Sequence, residues 1–271
     1  MNSNNRISAI EVRHEAHRAF RKDIKGTISL NIIPILLRFL AVFLGTKLYT
    51  KWMANLNVNL ADPGQASRRL SEISANMAND PSSADKYMLT LTPETSVAVY
   101  AFLFFFIMIC VGVSYTLLDK LRDSNYQINA IKDSLRAFSG RYFFPMLFIT
   151  ALFGLFLEAG FMLYIIPGIW FLMIFSQVFF VFKDDVEDQG KWTIRMAFST
   201  FSRSSVIMRG YKWTYFSLCL EFFFWEILNA LTHELLSIWL QPYEQLTMAV
   251  FYQKVLENNQ GKQKGSGTKH V

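Results

Sequence analysis

A chain of 271 residues that is 52% hydrophobic, holds 26 Phe and carries only 18% charged residues lies above the apolar share and below the charge share of an ordinary soluble domain. Its net charge of +6 invites a nucleic-acid reading, but the Lys and Arg fall between apolar runs, where membrane topology sorts them, so no nucleic-acid partner is expected. The two cysteines, Cys110 and Cys219, lie inside apolar runs without paired spacing, which excludes a disulfide framework and a zinc site.

Met1 to Lys25 is polar and unlike a signal peptide, whose short basic region leads at once into a brief apolar stretch. Arg13, Arg18, Arg21, Lys22 and Lys25 favour keeping this end in the cytoplasm. A first span covers residues 28–48, enough helix to cross a ~30 Å hydrocarbon layer. Residues 49–95 form a polar outer loop, rich in turn residues such as Pro63, Gly64 and Pro81, with one short helix around Ala66 to Met77. The second span is 97–118. From 142 to 182 the apolar run is too long for one crossing and is broken at Ile165-Ile166-Pro167-Gly168, because the residue before a proline is pushed out of helix; spans 142–163 and 167–182 result. Polar Asn229, Thr232, His233 and Glu234 divide 213–231 from 235–256, the latter containing Pro242, and residues 259–271 read as a flexible cytoplasmic tail. The expected fold is all-α: a polytopic membrane bundle forming one domain over residues 1–258, with six spans in three hairpins and both termini inside.

The basic residues agree with that topology. Lys120, Arg122, Lys132, Arg136 and Arg141 lie in one inner segment, and Lys183, Lys191, Arg195, Arg203, Arg209 and Lys212 in the next; the outer turns at Pro167 and His233 have none. On the inner side three amphipathic segments each lead through a glycine into a pair of spans, so the chain reads as internally triplicated. Their apolar stripes are Ala9, Val12, Ala16 and Phe20, then Ile128, Ile131, Leu135 and Phe138, then Ile194, Phe198, Phe201 and Met208. Such helices are expected to lie along the membrane surface. Ser8-x-x-Glu11 and Ser124-x-x-Gln127 read as capping boxes, and Gly26, Gly140 and Gly210 as left-handed caps turning the chain into the bilayer.

A charge at bilayer depth costs at least ~2.5 kcal/mol, so Arg38, Glu158, Glu221 and Glu226 require partners or water. Arg38 lies about ten residues into the first span and Glu221 about eight into the fifth, so an Arg38 pair with Glu221 or Glu226 matches in depth, and Glu221 ranks first. Two readings stand: the lining of a polar cavity that handles a proton, a cation or an anionic headgroup, or a static interhelical ion pair. Glu158, close to Gly160, reaches the headgroups by snorkelling. Lys132, Arg136, Arg195, Arg203 and Arg209 are the candidate contacts for anionic lipid headgroups.

No catalytic constellation stands out. His14-Glu15-Ala16-His17 lacks the zincin spacing and a third ligand, the Gly/Lys-rich tail lacks the spacing of a phosphate loop, and no serine stands in a hydrolase order. Neither a metal nor a cofactor is expected.

The order of Ile165-Ile166-Pro167-Gly168-Ile169, Ser199 to Ser205, Met208-Arg209-Gly210-Tyr211-Lys212, Phe224-Trp225-Glu226-Ile227-Leu228, Pro242-Tyr243 and Phe251-Tyr252 resembles the domain of unknown function 975 family of bacterial integral membrane proteins. The resemblance covers residues 136–256, with a weaker lead-in from Ala19-Phe20 to Gly26; where the family often reads Gly-Trp, this chain has Phe224-Trp225. It implies a fold and a bacterial plasma-membrane location, but no biochemical role and no catalytic residue. The expectation is a non-enzymatic lipid-interacting or assembly scaffold, with anionic membrane lipids and a membrane protein or a second copy as partners. The alternatives are a small secondary transporter or export accessory using Arg38 and Glu221 or Glu226, and, third, a membrane-embedded lipid enzyme.

Overall fold

The computed structural model describes residues 7–267, with side chains through residue 261. Among these residues it is all-helical, 82% helix without a strand. In chain order the helices are α1 (Ala9–Lys22), α2 (Ile24–Leu30), α3 (Ile32–Asn55), α4 (Pro63–Asn79), α5 (Pro93–Arg122), α6 (Ala130–Ser134), α7 (Phe143–Leu163), α8 (Ile165–Phe175), α9 (Val178–Gln189), α10 (Ile194–Ile207), α11 (Lys212–Leu231) and α12 (Ser237–Gly267). Four stretches are long and apolar enough to cross a membrane: α3, α5, α7, and α8 with α9 as Ile165–Gln189. The protein is therefore a membrane protein, with four such helices among the described residues. The expected fifth and sixth spans exist as α11 and α12 but fall outside that group, since Glu221 and Glu226 interrupt one and a polar second half dilutes the other. Helix α12 also runs on to Gly267, through most of the stretch read as a flexible tail.

The chain divides into two compact units. The smaller, Leu36–Leu103, holds most of α3, α4 and the first turns of α5. Its polar middle is more ordered than a loop: Asp62 caps α4 by accepting from Gly64 N at 3.0 Å and Gln65 N at 3.1 Å, and Pro63 presets the first turn. Met53, Val58 and Ile73 close a small apolar cluster, and Trp52 donates to the Tyr87 carbonyl at 3.2 Å.

In the larger unit α12 packs against α1, α2, α10 and α11. The stripe of α1 is covered by protein and not left for lipid: Val12 and Ala16 have no exposed surface and Phe20 almost none. Helix α1 runs antiparallel to α12, with Glu11 and Glu15 each 2.7 Å from Lys254 and the Phe20 ring 5.0 Å from Trp239. A helix lying in the interface would keep that face free, so for α1 the surface placement gives way to a packed one. Ser8 caps it through Ile10 N at 3.2 Å, while Glu11 turns to Lys254 and does not close the box. In the second segment only α6 and a 3-10 turn (Arg136–Phe138) form. Its cap is Asn129, whose side chain accepts from Lys132 N while Asp133 Oδ2 accepts from Asn129 N at 2.8 Å; Ser124 and Gln127 precede the helix. In α10 the covered face is Met196, Ala197, Thr200, Phe201 and Ser204, whereas Ile194 and Phe198 are exposed. Two hydroxyl residues face inward because each has an acceptor: Asp185 for Thr200 at 2.8 Å and the Ile174 carbonyl for Ser204 at 2.9 Å.

The fourth apolar stretch is broken at Ser176-Gln177, which the sequence reading ran through as one span. Carbonyls loosened by the break find hydroxyls, Ser176 on Met173 O at 3.0 Å and Ser204 on Ile174 O. The turn between α7 and α8 lies at Tyr164, ahead of Pro167, which sits in the first turn of α8. Helices α7 and α8 approach closely at paired glycines: a Cβ on Gly160 would lie 3.0 Å from the Gly168 Cα, and one on Gly168 would meet the Phe161 ring at 2.3 Å. Lys212 Nζ lies 3.8 Å from the Trp170 ring centroid. Groups that close do not occupy opposite headgroup layers of a ~30 Å bilayer, so the layout with the Pro167 turn outside and Lys212 inside does not hold at this corner.

Of the three glycines read as caps, Gly210 takes φ +88°; Gly26 lies inside α2, packed on the Asp23 carboxylate that caps that helix, and Gly140 is not in the left-handed region. Pro242 is buried in the second turn of α12. The tightest backbone approach is at Gly112 of α5, where a Cβ would lie 2.5 Å from the Ser134 carbonyl oxygen, whereas one on Gly154 would meet nothing. Gly112→Ala is expected to cost about 1–3 kcal/mol by forcing α5 and α6 apart. Detergent melting curves check this, with Gly154→Ala as the neutral reference; equal melting temperatures would refute the close approach.

Candidate functional site

Apolar Val178 to Phe182 opens α9, and the helix then changes character at Lys183-Asp184-Asp185-Val186-Glu187. Successive helical residues are about 100° apart, so this short run aims charge in several directions while positions 183 and 187 share a face. Lys183 has no exposed side-chain surface; its Nζ lies 2.6 Å from Asp119 Oδ1 and 2.8 Å from Glu187 Oε2. Arg136 completes a neutral group of four, paired with Asp119 and, at 3.3 Å, with Glu187 Oε1. Burial opposes the Arg136 charge, yet the Asp119 carboxylate more than offsets it and the guanidinium pKa lies above its ordinary value. Tyr142 donates to Glu187 at 3.3 Å.

On the next face Asp184 takes a two-pronged bond from Arg122, 2.7 and 2.9 Å, and a third from the Tyr252 hydroxyl at 2.7 Å. Arg122 also donates to Gln253 at 3.0 Å. Asp185, almost wholly buried, accepts from Thr200 and pairs with Arg203. One turn of α9 thus joins α5, the α6–α7 connection, α10 and α12. Each of these carboxylates meets a cation or a hydroxyl.

Glu221 is held by Arg13 of α1, 2.6 Å away, and Tyr243 donates to the Arg13 carbonyl at 3.5 Å. Beside this pair is a cavity of about 330 Å³ whose lining includes His17, Phe20, Glu221, Trp225 and Tyr243. Glu226 accepts from Asn229 at 3.3 Å, and the buried Asn229 also donates to Glu234 at 2.7 Å in a turn where His233 and Glu234 take positive φ. Glu158 is exposed on α7. Arg38 is half-buried on α3 in the smaller unit. Among the headgroup candidates Arg136 and Arg203 are spent on carboxylates, whereas Lys132, Arg195 and Arg209 are exposed and have no ion pair among the described residues. No group of three or more His, Cys, Asp or Glu placed to hold a metal occurs among the described residues.

Asp119, Lys183, Asp184, Asp185 and Glu187 were not singled out from the sequence. The signal available was an acidic, charge-dense run immediately after an apolar stretch, where a topological segment would be basic alone.

The model of the family described as "Protein of unknown function (DUF975)" matches residues 159–259, from the last turn of α7 into α12. The match contains the acidic run of α9, the Arg209-Gly210-Tyr211-Lys212 corner and Glu221, and it agrees with the resemblance read from the carboxyl-terminal motifs. No curated protein and no solved structure matches the chain.

Removing one partner of a buried ion pair leaves the other uncompensated. Lys183→Met should therefore lower stability by about 3–5 kcal/mol, and adding Asp119→Leu should recover part of the loss. Thermal unfolding in detergent reads both, and a Lys183→Met protein as stable as the parent would remove the α9 cluster from its central role.

Proposed function

We propose that this protein is a non-enzymatic, multi-pass protein of the bacterial plasma membrane, with both termini cytoplasmic, that binds anionic lipids and serves as a lipid-interacting or assembly scaffold. The supporting observation is how its cations are disposed. Arg122, Arg136, Lys183 and Arg203 are neutralised by carboxylates, while Lys132, Arg195 and Arg209 project from three separate places with no ion pair among the described residues. An unpaired exposed cation beside an anionic leaflet gains about 1 kcal/mol from it. The partners that fit are anionic lipids, with a membrane protein or a second copy as the thing assembled.

Charge reversal separates the two kinds of cation. Lys132→Glu with Arg195→Glu should leave the fold intact and weaken retention of phosphatidylglycerol roughly tenfold or more, two cations being removed at about 1 kcal/mol each. Native mass spectrometry of the purified protein with phosphatidylglycerol and phosphatidylcholine measures it; unchanged retention would count against lipid binding at these surfaces.

A second reading, small secondary transport, is favoured by the cavity beside Glu221. In that case Glu221→Gln abolishes proton- or substrate-coupled flux in proteoliposomes at unchanged stability. If the Arg13 pair is structural only, the same substitution lowers the melting temperature and no flux exists to lose.

A further inference from the structure

The corner between α10 and α11 carries more than a turn. Gly210, at φ +88°, reverses the chain where a side chain would be strained, and so brings Arg209 and Lys212 to one side. They face a groove of about 990 Å³ bounded by the start of α1, by α8 and by the first turns of α11. Arg209 and Lys212 are its charged lining residues among those described, so the groove is cationic. Its walls are apolar and aromatic, among them Ile10, Trp170, Trp213 and Phe216. Trp213 is 79% exposed and Ile10 69%, more than an aqueous surface favours for side chains of this size. Lys212 is held over the Trp170 ring, 3.8 Å from its centroid, while the exposed Arg209 has no ion pair among the described residues.

We infer that this groove binds one anionic phospholipid, its phosphate between Arg209 and Lys212 and its acyl chains along Ile10, Trp170 and Phe216. The inference rests on the lipid-binding reading above and gives it a defined site. Charge complementarity selects an anion, and the indole-lined, exposed apolar wall selects one with hydrocarbon attached. Tryptophan beside lysine and arginine is the residue set of the headgroup layer, where one end of the ligand is wet and the other greasy. A soluble anionic peptide or nucleic acid would leave Trp213 and Ile10 facing water.

Native mass spectrometry on the full chain in detergent, titrated with phosphatidylglycerol, phosphatidylcholine or inorganic phosphate, tests the site. The expected result is a single phosphatidylglycerol held above the general population, and its affinity should fall roughly tenfold in Arg209→Gln/Lys212→Gln. The single variant Arg209→Gln, at an exposed position, should show a smaller loss in the same direction and covers the case in which the double variant does not fold. Lys132→Gln/Arg195→Gln should leave the tight lipid in place while reducing the weaker ones, which separates this site from the broader surface reading. Retention of the tight lipid by both groove variants overturns the proposal without touching that reading, and loss of no lipid in any variant overturns both. Binding of inorganic phosphate as tight as that of phosphatidylglycerol also overturns it, since the hydrocarbon wall would then contribute nothing.

Discussion

Lys183 has no contact with water, and a charge removed from solvent costs several kcal/mol unless opposite charge and hydrogen bonds meet it. Much of the larger unit is arranged around that requirement. Asp119 comes from α5 and Glu187 from one turn along α9, and Arg136 closes the group from a 3-10 turn whose position is set by the Gly112 contact below it. With Asp184 and Asp185 engaging Arg122, Tyr252, Thr200 and Arg203, helix α9 fixes the places of its neighbours by bonds that have direction. The apolar contacts around them, rich in Phe, have none. A bundle of greasy helices has many comparable packings, and a network that must be wholly satisfied selects among them.

Outside this network the cations are less fully engaged: Lys132, Arg195 and Arg209 are exposed without an ion pair among the described residues, and Arg209 and Lys212 line a groove among indoles. The Glu221 pair lies between these cases, bonded to Arg13 yet open to a small cavity.

What the sequence disclosed and what it hid follow one physical division. Long apolar runs declare themselves, and α3, α5 and α7 lie close to their expected positions. Gly210 was legible because a basic-glycine corner has a local cause. The face of α10 was not: the stripe Ile194, Phe198, Phe201 and Met208 leaves out Thr200 and Ser204, which are buried because their acceptors lie on α9 and α8. Arg13 was passed over as one of several cytoplasmic arginines, and its partner lies 208 residues further along the chain. Gly112 carried no turn signature; its reason is a carbonyl on another helix. Spacing rules describe neighbours along the chain, while these features depend on neighbours in space.

Helix α1 also sets an order of events during synthesis. Glu11 and the lysine that receives it are 243 residues apart, and the cover over Val12, Ala16 and Phe20 comes largely from α12. At roughly 5–20 residues per second, translation leaves that stripe bare for tens of seconds. The nascent chain thus carries an unclosed seam until α12 emerges, and α1 waits that long for its seat.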